Sequence, residues 1–143
     1  MPELSVMLKP VSGACNMNCA YCAESMTLPE RAPMDKETMV SSIEMLFEKS
    51  SPGTSLSLLF GSAEPLLQPE LVKMAGKLAR RLARKNNRRL SLFLTTNGTL
   101  LDSRITKWLI DDAWEVKVSL DGPRVIHARF RRDSHGRGTC ERV

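Results

Sequence analysis

Residues 55–98, SLSLLFGSAEPLLQPELVKMAGKLARRLARKNNRRLSLFLTTNG, decide the fold. SLSLLF (55–60) and LSLFLTTNG (90–98) are short apolar runs of strand length, and the second runs into an Asn-Gly turn. Between them Pro69 sits in the first turn of a helix, where its missing N–H costs nothing. Leu71, Met74/Ala75, Leu78 and Leu82 recur on one stripe until Asn86-Asn87 ends the helix. Strand, helix, strand at this spacing is a βαβ unit, so the strands are parallel and the crossover right-handed.

The alternation continues on both sides. LSVMLKP (4–10) reads as a buried strand stopped by proline, and Asp35 can cap a helix with Met39, Ile43 and Leu46/Phe47 inward. Met45 and Met74 also have helical core spacing. Asp102 or Ser103 caps a third helix with Ile105, Trp108 and Leu109 inward, and EVKVSLDG (115–122) is a fourth strand. The expectation is one α/β domain of about four parallel strands with flanking helices, without internal repeat or Gly/Ser linker. Four parallel strands cannot close a barrel, so one edge is expected to stay unpaired beside Val116, Val118 and Leu120. Residues 119–143 read as a basic tail and the run-in to a further helix that the chain does not complete. Association through that edge is expected, more readily as salt screens the tail.

The chain has 143 residues, 42% hydrophobic and 26% charged. That length can bury roughly 70% of the unfolded surface, and no apolar run approaches the ~20 residues of a membrane span. MPELSVMLKP lacks a positive segment followed by an apolar one, so no secretory signal is read and the cytoplasm is expected. Four cysteines in that setting point to metal thiolates rather than disulfides. Charge is uneven: residues 1–70 hold four Lys/Arg against nine Asp/Glu, residues 71–143 seventeen against seven. The clusters at 80–89 and 124–137 produce this. A nucleic-acid groove is one reading of such a patch; for the first cluster a solvated helix end is favoured, because cations suit the last turn's dipole.

Cys15-Asn-Met-Asn-Cys19-Ala-Tyr-Cys22 places three thiols within eight residues, just past the first strand, where α/β sheets open onto ligands. Soft thiolates select zinc, copper(I) or iron-sulfur clusters. Structural zinc wants four closed ligands, and the remaining cysteine, Cys140, is far off in sequence. A cubane held by three thiolates leaves one iron open, so ligand count favours a cluster, with zinc and unrelated buried thiols as alternatives.

C-x-x-x-C-x-x-C with Tyr21 before its last cysteine resembles the signature of the radical S-adenosylmethionine superfamily. GSAEPLL (61–67), TTNGTLL (95–101) and SLDGPRVIHARFRR (119–132) resemble that family's loops after strands two, three and four. The opening and the S-L-D-G-P run look most like anaerobic sulfatase-maturating enzymes and related peptide-modifying enzymes with a SPASM extension. The resemblance implies a partial (βα) radical-SAM barrel, with residues 1–143 the N-terminal portion of the core domain and the later strands and auxiliary-cluster extension absent. It implies a 4Fe-4S cluster on Cys15, Cys19 and Cys22, and S-adenosylmethionine chelating the fourth iron.

On the same resemblance Ser62, Ala63 and Glu64 approach the cofactor's amino group, Ser119 donates a hydroxyl, and Arg131 lies near the cofactor's carboxylate or ribose. Tyr21 lends backbone or ring to the adenine. The implied reaction is one-electron cleavage of the cofactor to methionine and a 5'-deoxyadenosyl radical that takes hydrogen from a substrate carbon. The substrate would be a protein or peptide side chain, such as the serine or cysteine of a sulfatase, and the electron donor a flavodoxin or ferredoxin. Turnover by these residues alone is not expected.

Ser62 and Ala63 stand where the family has two glycines, and their β-carbons are expected to keep the backbone out of the φ > 0 region. Asn97-Gly98 is read first as turn chemistry, His127 as a hydrogen-bonded packing residue, and Cys140 as a small hydrophobe. Glu24 places a negative charge near the cluster, which would lower its potential, though one exposed carboxylate is expected to be screened.

Overall fold

A computed structural model describes residues 3–24 and 32–143; Met1 and Pro2, with which the stretch read as leaderless begins, lie outside the described residues. The strands are β1 (Glu3–Leu8), β2 (Ser55–Phe60), β3 (Leu90–Thr96) and β4 (Glu115–Val118). The helices are α1 (Lys36–Lys49), α2 (Pro69–Lys85), α3 (Ser103–Asp111) and α4 (Arg124–Phe130), with 3-10 turns at Pro65–Leu67 and Cys140–Arg142. The strands form one sheet in the order β1-β2-β3-β4, every pair parallel, in registers such as Leu8 with Phe60, Phe60 with Leu94 and Leu94 with Val116. The chain is therefore the α/β partial barrel expected of it. All four strands end on one side, and the loops leaving those ends build the candidate site. No described helix is long and apolar enough to cross a membrane.

The expected helix starts are present. Asp35 Oδ1 accepts from Thr38 N at 2.6 Å, and Asp102 Oδ1 accepts from Ile105 N at 2.6 Å. Each satisfies a backbone donor that the first helical turn would leave bare. Leu56, Leu58, Phe60, Leu92 and Leu94 pack one sheet face against Met39 and Ile43 of α1 and Ile105, Trp108 and Leu109 of α3. At the fourth strand Val116 and Val118 are each 40% exposed and Leu120 58%, the uncovered edge anticipated from the sequence.

Three readings need correction. In α2 the buried positions are Val72, Ala75, Gly76, Leu78, Ala79 and Ala83, whereas Leu71, Met74 and Leu82 are only partly buried. Small residues bring the helix axis close to the core, and the bulkier ones are displaced to its flank. Met45 of α1 is 53% exposed and not a core residue.

The third correction concerns residues 119–143. Arg124–Phe130 is a complete helix, and residues 130–133 return to pair with the cysteine loop: Asn18 N donates to Arg132 O at 2.7 Å and Ala20 N to Phe130 O at 2.9 Å. Four of the segment's arginines are ion-paired, Arg124 with Glu141, Arg131 with Asp121, and Arg137 and Arg142 with Asp133. It is a folded clamp rather than a loose basic tail.

Gly76 marks the closest approach of α2. A β-carbon there would lie 2.4 Å from Trp114 Cζ2 and 3.1 Å from Cε2. Trp114 cannot give way freely, because Phe60 packs tilted and Trp108 edge-on against it, with ring centroids at 5.3 and 5.7 Å. Gly76→Ala should destabilise the fold by about 1–3 kcal/mol, overpacking outweighing the gain in helix propensity. Urea unfolding measures it; an unchanged midpoint would mean that α2 does not seat against Trp114.

Candidate functional site

The cysteine loop leaves β1 and is held from three directions. Its own turns supply Ala14 N to Val11 O at 3.0 Å, Cys22 N to Cys19 O at 3.1 Å and Met17 N to Cys15 Sγ at 3.4 Å. From the loop after β3, Asn97 Nδ2 donates to Asn16 Oδ1 at 2.9 Å and reaches Cys15 Sγ at 3.7 Å, while Asn16 Nδ2 donates to Thr99 Oγ1 at 2.9 Å. From the far end of the chain comes the clamp of residues 130–133. Asn97 is thus more than a turn residue. Its hydrogen bonds with Asn16 and Cys15 were hidden in a local Asn-Gly reading, because partners some 80 positions away leave no local pattern.

Desolvation pushes the Cys15 thiol up from its ordinary range, against the Met17 amide and Asn97; it also raises Cys19, against Arg131. Among the described residues no three His, Cys, Asp or Glu side chains converge on one point as the ligands of a single ion would. Three thiolates that each take a different iron need no such convergence. Three soft donors on one partly exposed loop therefore fit a polynuclear cluster better than a closed zinc site. Cys140 opens the last 3-10 turn, half-buried.

Glu64 is 0% exposed. Its Oε1 accepts from Leu66 N at 3.1 Å and Thr96 Oγ1 at 2.8 Å, and its Oε2 from Asn97 N at 2.7 Å. Burial pushes this carboxyl up, opposed by those donors, the Asn97 amide foremost. Its own amide donates to Ala14 O at 3.2 Å. The Glu64 side chain thus ties the loop after β2 to the loop after β3, and its backbone amide ties both to the cysteine loop, so the loop itself is the part that can meet a ligand.

Ser62 and Ala63 overturn the expectation about their backbone: φ is 68° and 54°, both in the left-handed region despite their β-carbons. Each costs about 1–2 kcal/mol relative to a glycine, held in place by Glu64 on one side and by the hydrogen bond from Ser62 Oγ to Glu24 Oε1 on the other. The loop therefore adopts a conformation that glycines would favour. Glu24 is ion-paired with Lys9 at 3.1 Å, so its charge is offset rather than presented bare to the cysteines. Its second oxygen is buried without a partner among the described residues, an acceptor left over beside the loop read as meeting an amino group.

Ser119 extends the β3–β4 ladder by one bond, Ser119 N to Thr96 O at 2.9 Å, and its hydroxyl makes no hydrogen bond among the described residues. Tyr21 donates its hydroxyl to Asp121 Oδ2 and is half-exposed; desolvation and that bond push its pKa up to about 12. Arg131 bonds Asp121 and reaches Cys19. His127 is 0% exposed and hydrogen-bonded on both nitrogens, to Asp121 N at 3.4 Å and Thr139 Oγ1 at 3.2 Å, the packing role expected of it.

Asp133 closes the clamp. Its carboxylate accepts from the amides of Arg137 at 3.0 Å and His135 at 2.9 Å and from Arg137 Nε at 2.9 Å, which hold it down from an ordinary 3.8 to about 2. A lowered folded-state pKa contributes stability that is complete above 3.8 and lost as pH falls from there through about 2. The thermal midpoint of the parent should therefore drop across that window more than that of Asp133→Asn; parallel curves would contradict it.

Residues 10–142 match the Radical SAM superfamily. The chain belongs to that superfamily. It is 30% identical over 150 residues to a cysteine-type anaerobic sulfatase-maturating enzyme of Clostridium perfringens, covering 100% of this chain and 40% of the relative. It is 31% identical over 146 residues to the serine-type enzyme of Bacteroides thetaiotaomicron, covering 98% and 34%. Two solved structures of native anSMEcpe, one with bound AdoMet and one with AdoMet and the Cp18Cys peptide, superpose with a TM-score of 0.88 at 31% identity, covering 99% of this chain and 38% of theirs. The chain spans about 40% of the length of these relatives.

Proposed function

We propose that residues 1–143 are the N-terminal portion of a radical SAM core that binds a 4Fe-4S cluster through Cys15, Cys19 and Cys22 and S-adenosylmethionine beside it, in an enzyme modifying protein or peptide side chains, with sulfatase maturation the nearest case. The observation that carries the reading is the meeting of the cysteine loop with the loops after β2, β3 and β4, bound to one another through Glu64, Asn97 and Arg131. When bound, cluster and cofactor supply one-electron reductive cleavage and hydrogen-atom abstraction from a substrate carbon.

The chain's own part is to hold and orient. The 61–64 loop, kept in its left-handed turn, offers backbone acceptors to an ammonium. Ser119 offers an uncommitted hydroxyl from the end of β4, and Tyr21 offers a half-exposed ring. The peptide substrate, supported by the peptide complexes of anSMEcpe, belongs to the same proposal, as does a flavodoxin or ferredoxin donor. Anaerobic reconstitution with iron and sulfide tests it: the account expects a brown protein with about four irons per chain. Stoichiometric zinc without iron after the same treatment would refute it.

A further inference from the structure

We propose that Arg131 acts on the cluster: its guanidinium hydrogen-bonds the sulfur of Cys19 and raises the cluster's reduction potential. This rests on the reading of Cys19 as an iron ligand. The backbone sets it up. Asn18 pairs with Arg132, Ala20 with Phe130, and Met17 with Asp133 in an antiparallel bridge. In that register residue 131 stands directly opposite residue 19, so the side chains of Arg131 and Cys19 are cross-strand neighbours by construction. Arg131 Nη1 lies 3.7 Å from Cys19 Sγ, within hydrogen-bond reach of a sulfur acceptor.

The guanidinium is held at a second point as well. Asp121 Oδ1 accepts from its Nε at 3.1 Å, and its Cζ sits 5.9 Å from the centroid of the Tyr21 ring. Its side chain is only 11% exposed. The backbone of Arg131 is held as firmly, its amide donating to His127 O at 2.8 Å and its carbonyl accepting from Thr139 Oγ1 at 3.0 Å. Asp121 N donates to His127 Nδ1, which assigns the ring proton to Nε2 and makes that nitrogen the donor to Thr139 Oγ1. One buried histidine thus ties the residue that holds the guanidinium to the segment that carries it.

Reduction adds an electron to a thiolate-bound cluster. An N–H donor at a ligand sulfur stabilises the more negative state and raises the potential; the cation adds to this, offset in part by its Asp121 partner, which acts on Cys19 more weakly than Arg131 does. The low exposure of the Arg131 side chain strengthens the effect by limiting solvent screening.

The test is a redox titration of the reconstituted full chain, followed by the electron paramagnetic resonance of the reduced cluster, in the parent, Arg131→Gln and Arg131→Lys. Arg131→Gln should lower the reduced-to-oxidised ratio at a fixed potential about tenfold, a midpoint about 59 mV more negative for one electron. Arg131→Lys, which keeps the charge and loses the fork, should fall between, and it carries the test if the glutamine variant does not fold. Midpoints equal to the parent's at full iron content would overturn the proposal while leaving the ligand assignment intact. Weakened S-adenosylmethionine binding with an unchanged potential would overturn it in favour of a cofactor role. A parent that takes up no iron would overturn the ligand reading and this inference with it.

Discussion

Cys15→Ala, Cys19→Ala and Cys22→Ala should each abolish iron uptake on anaerobic reconstitution, while Cys140→Ala should retain about four irons per chain. The expectation is all-or-none because three thiolates are the smallest set that leaves a cubane one open iron. The carboxylates that act on these thiols, Glu64 on Cys15 and Asp121 on Cys19, are hard donors already committed to hydrogen bonds of their own. The loop is also tied down independently of metal, through Asn97, the 130–133 clamp and the bond from Glu64 N to Ala14 O. Loss of one thiol should therefore remove the cluster without unfolding the domain, and circular dichroism separates the two. Full iron in any of the three loop variants, or loss in Cys140→Ala, would move the ligand set elsewhere.

Glu64→Ala is the substitution expected to cost most stability, about 3 kcal/mol or more. It strands three donors at once, Leu66 N, Thr96 Oγ1 and Asn97 N, in a place without solvent, and each stranded buried group costs about 1–3 kcal/mol. Relief of the carboxylate's own desolvation offsets part of this, which is why the figure is not the full sum. For a domain of this size the midpoint of thermal unfolding should fall by roughly 6–12 °C. Glu64→Gln keeps one carbonyl acceptor and should lose less. Equal stability of Glu64→Ala and parent would mean that the loops after β2 and β3 are not joined through this carboxylate.

The strands and the caps were legible because their causes are local. SLSLLF and LSLFLTTNG carry the apolar density of strands, and Asp35 and Asp102 sit one residue ahead of helices they cap with a single short bond. The buried side of α2 was misread because an apolar count ranks Leu71, Met74 and Leu82 above Ala79 and Gly76. The sheet instead selects for closeness, and Trp114 fills the space that a side chain at Gly76 would need. The cysteine loop was legible from spacing alone.

What holds that loop was not. Its partners Asn97 and Arg132 lie about 80 and 115 positions on, and the 119–143 segment is fixed by Asp133, Thr139 and His127, polar contacts without period. The backbone of Ser62 and Ala63 was read from glycine propensity, which the bonds at Glu64 and Glu24 override.

The most direct test is the electron paramagnetic resonance spectrum of the reduced, reconstituted chain with and without S-adenosylmethionine. If three cysteines leave one iron open beside the 61–64 loop, the cofactor's amino and carboxylate groups should coordinate it. The spectrum should then change on addition, with the change weakened in Ser119→Ala at unaltered iron content. A cluster whose spectrum is identical with and without the cofactor would contradict the account.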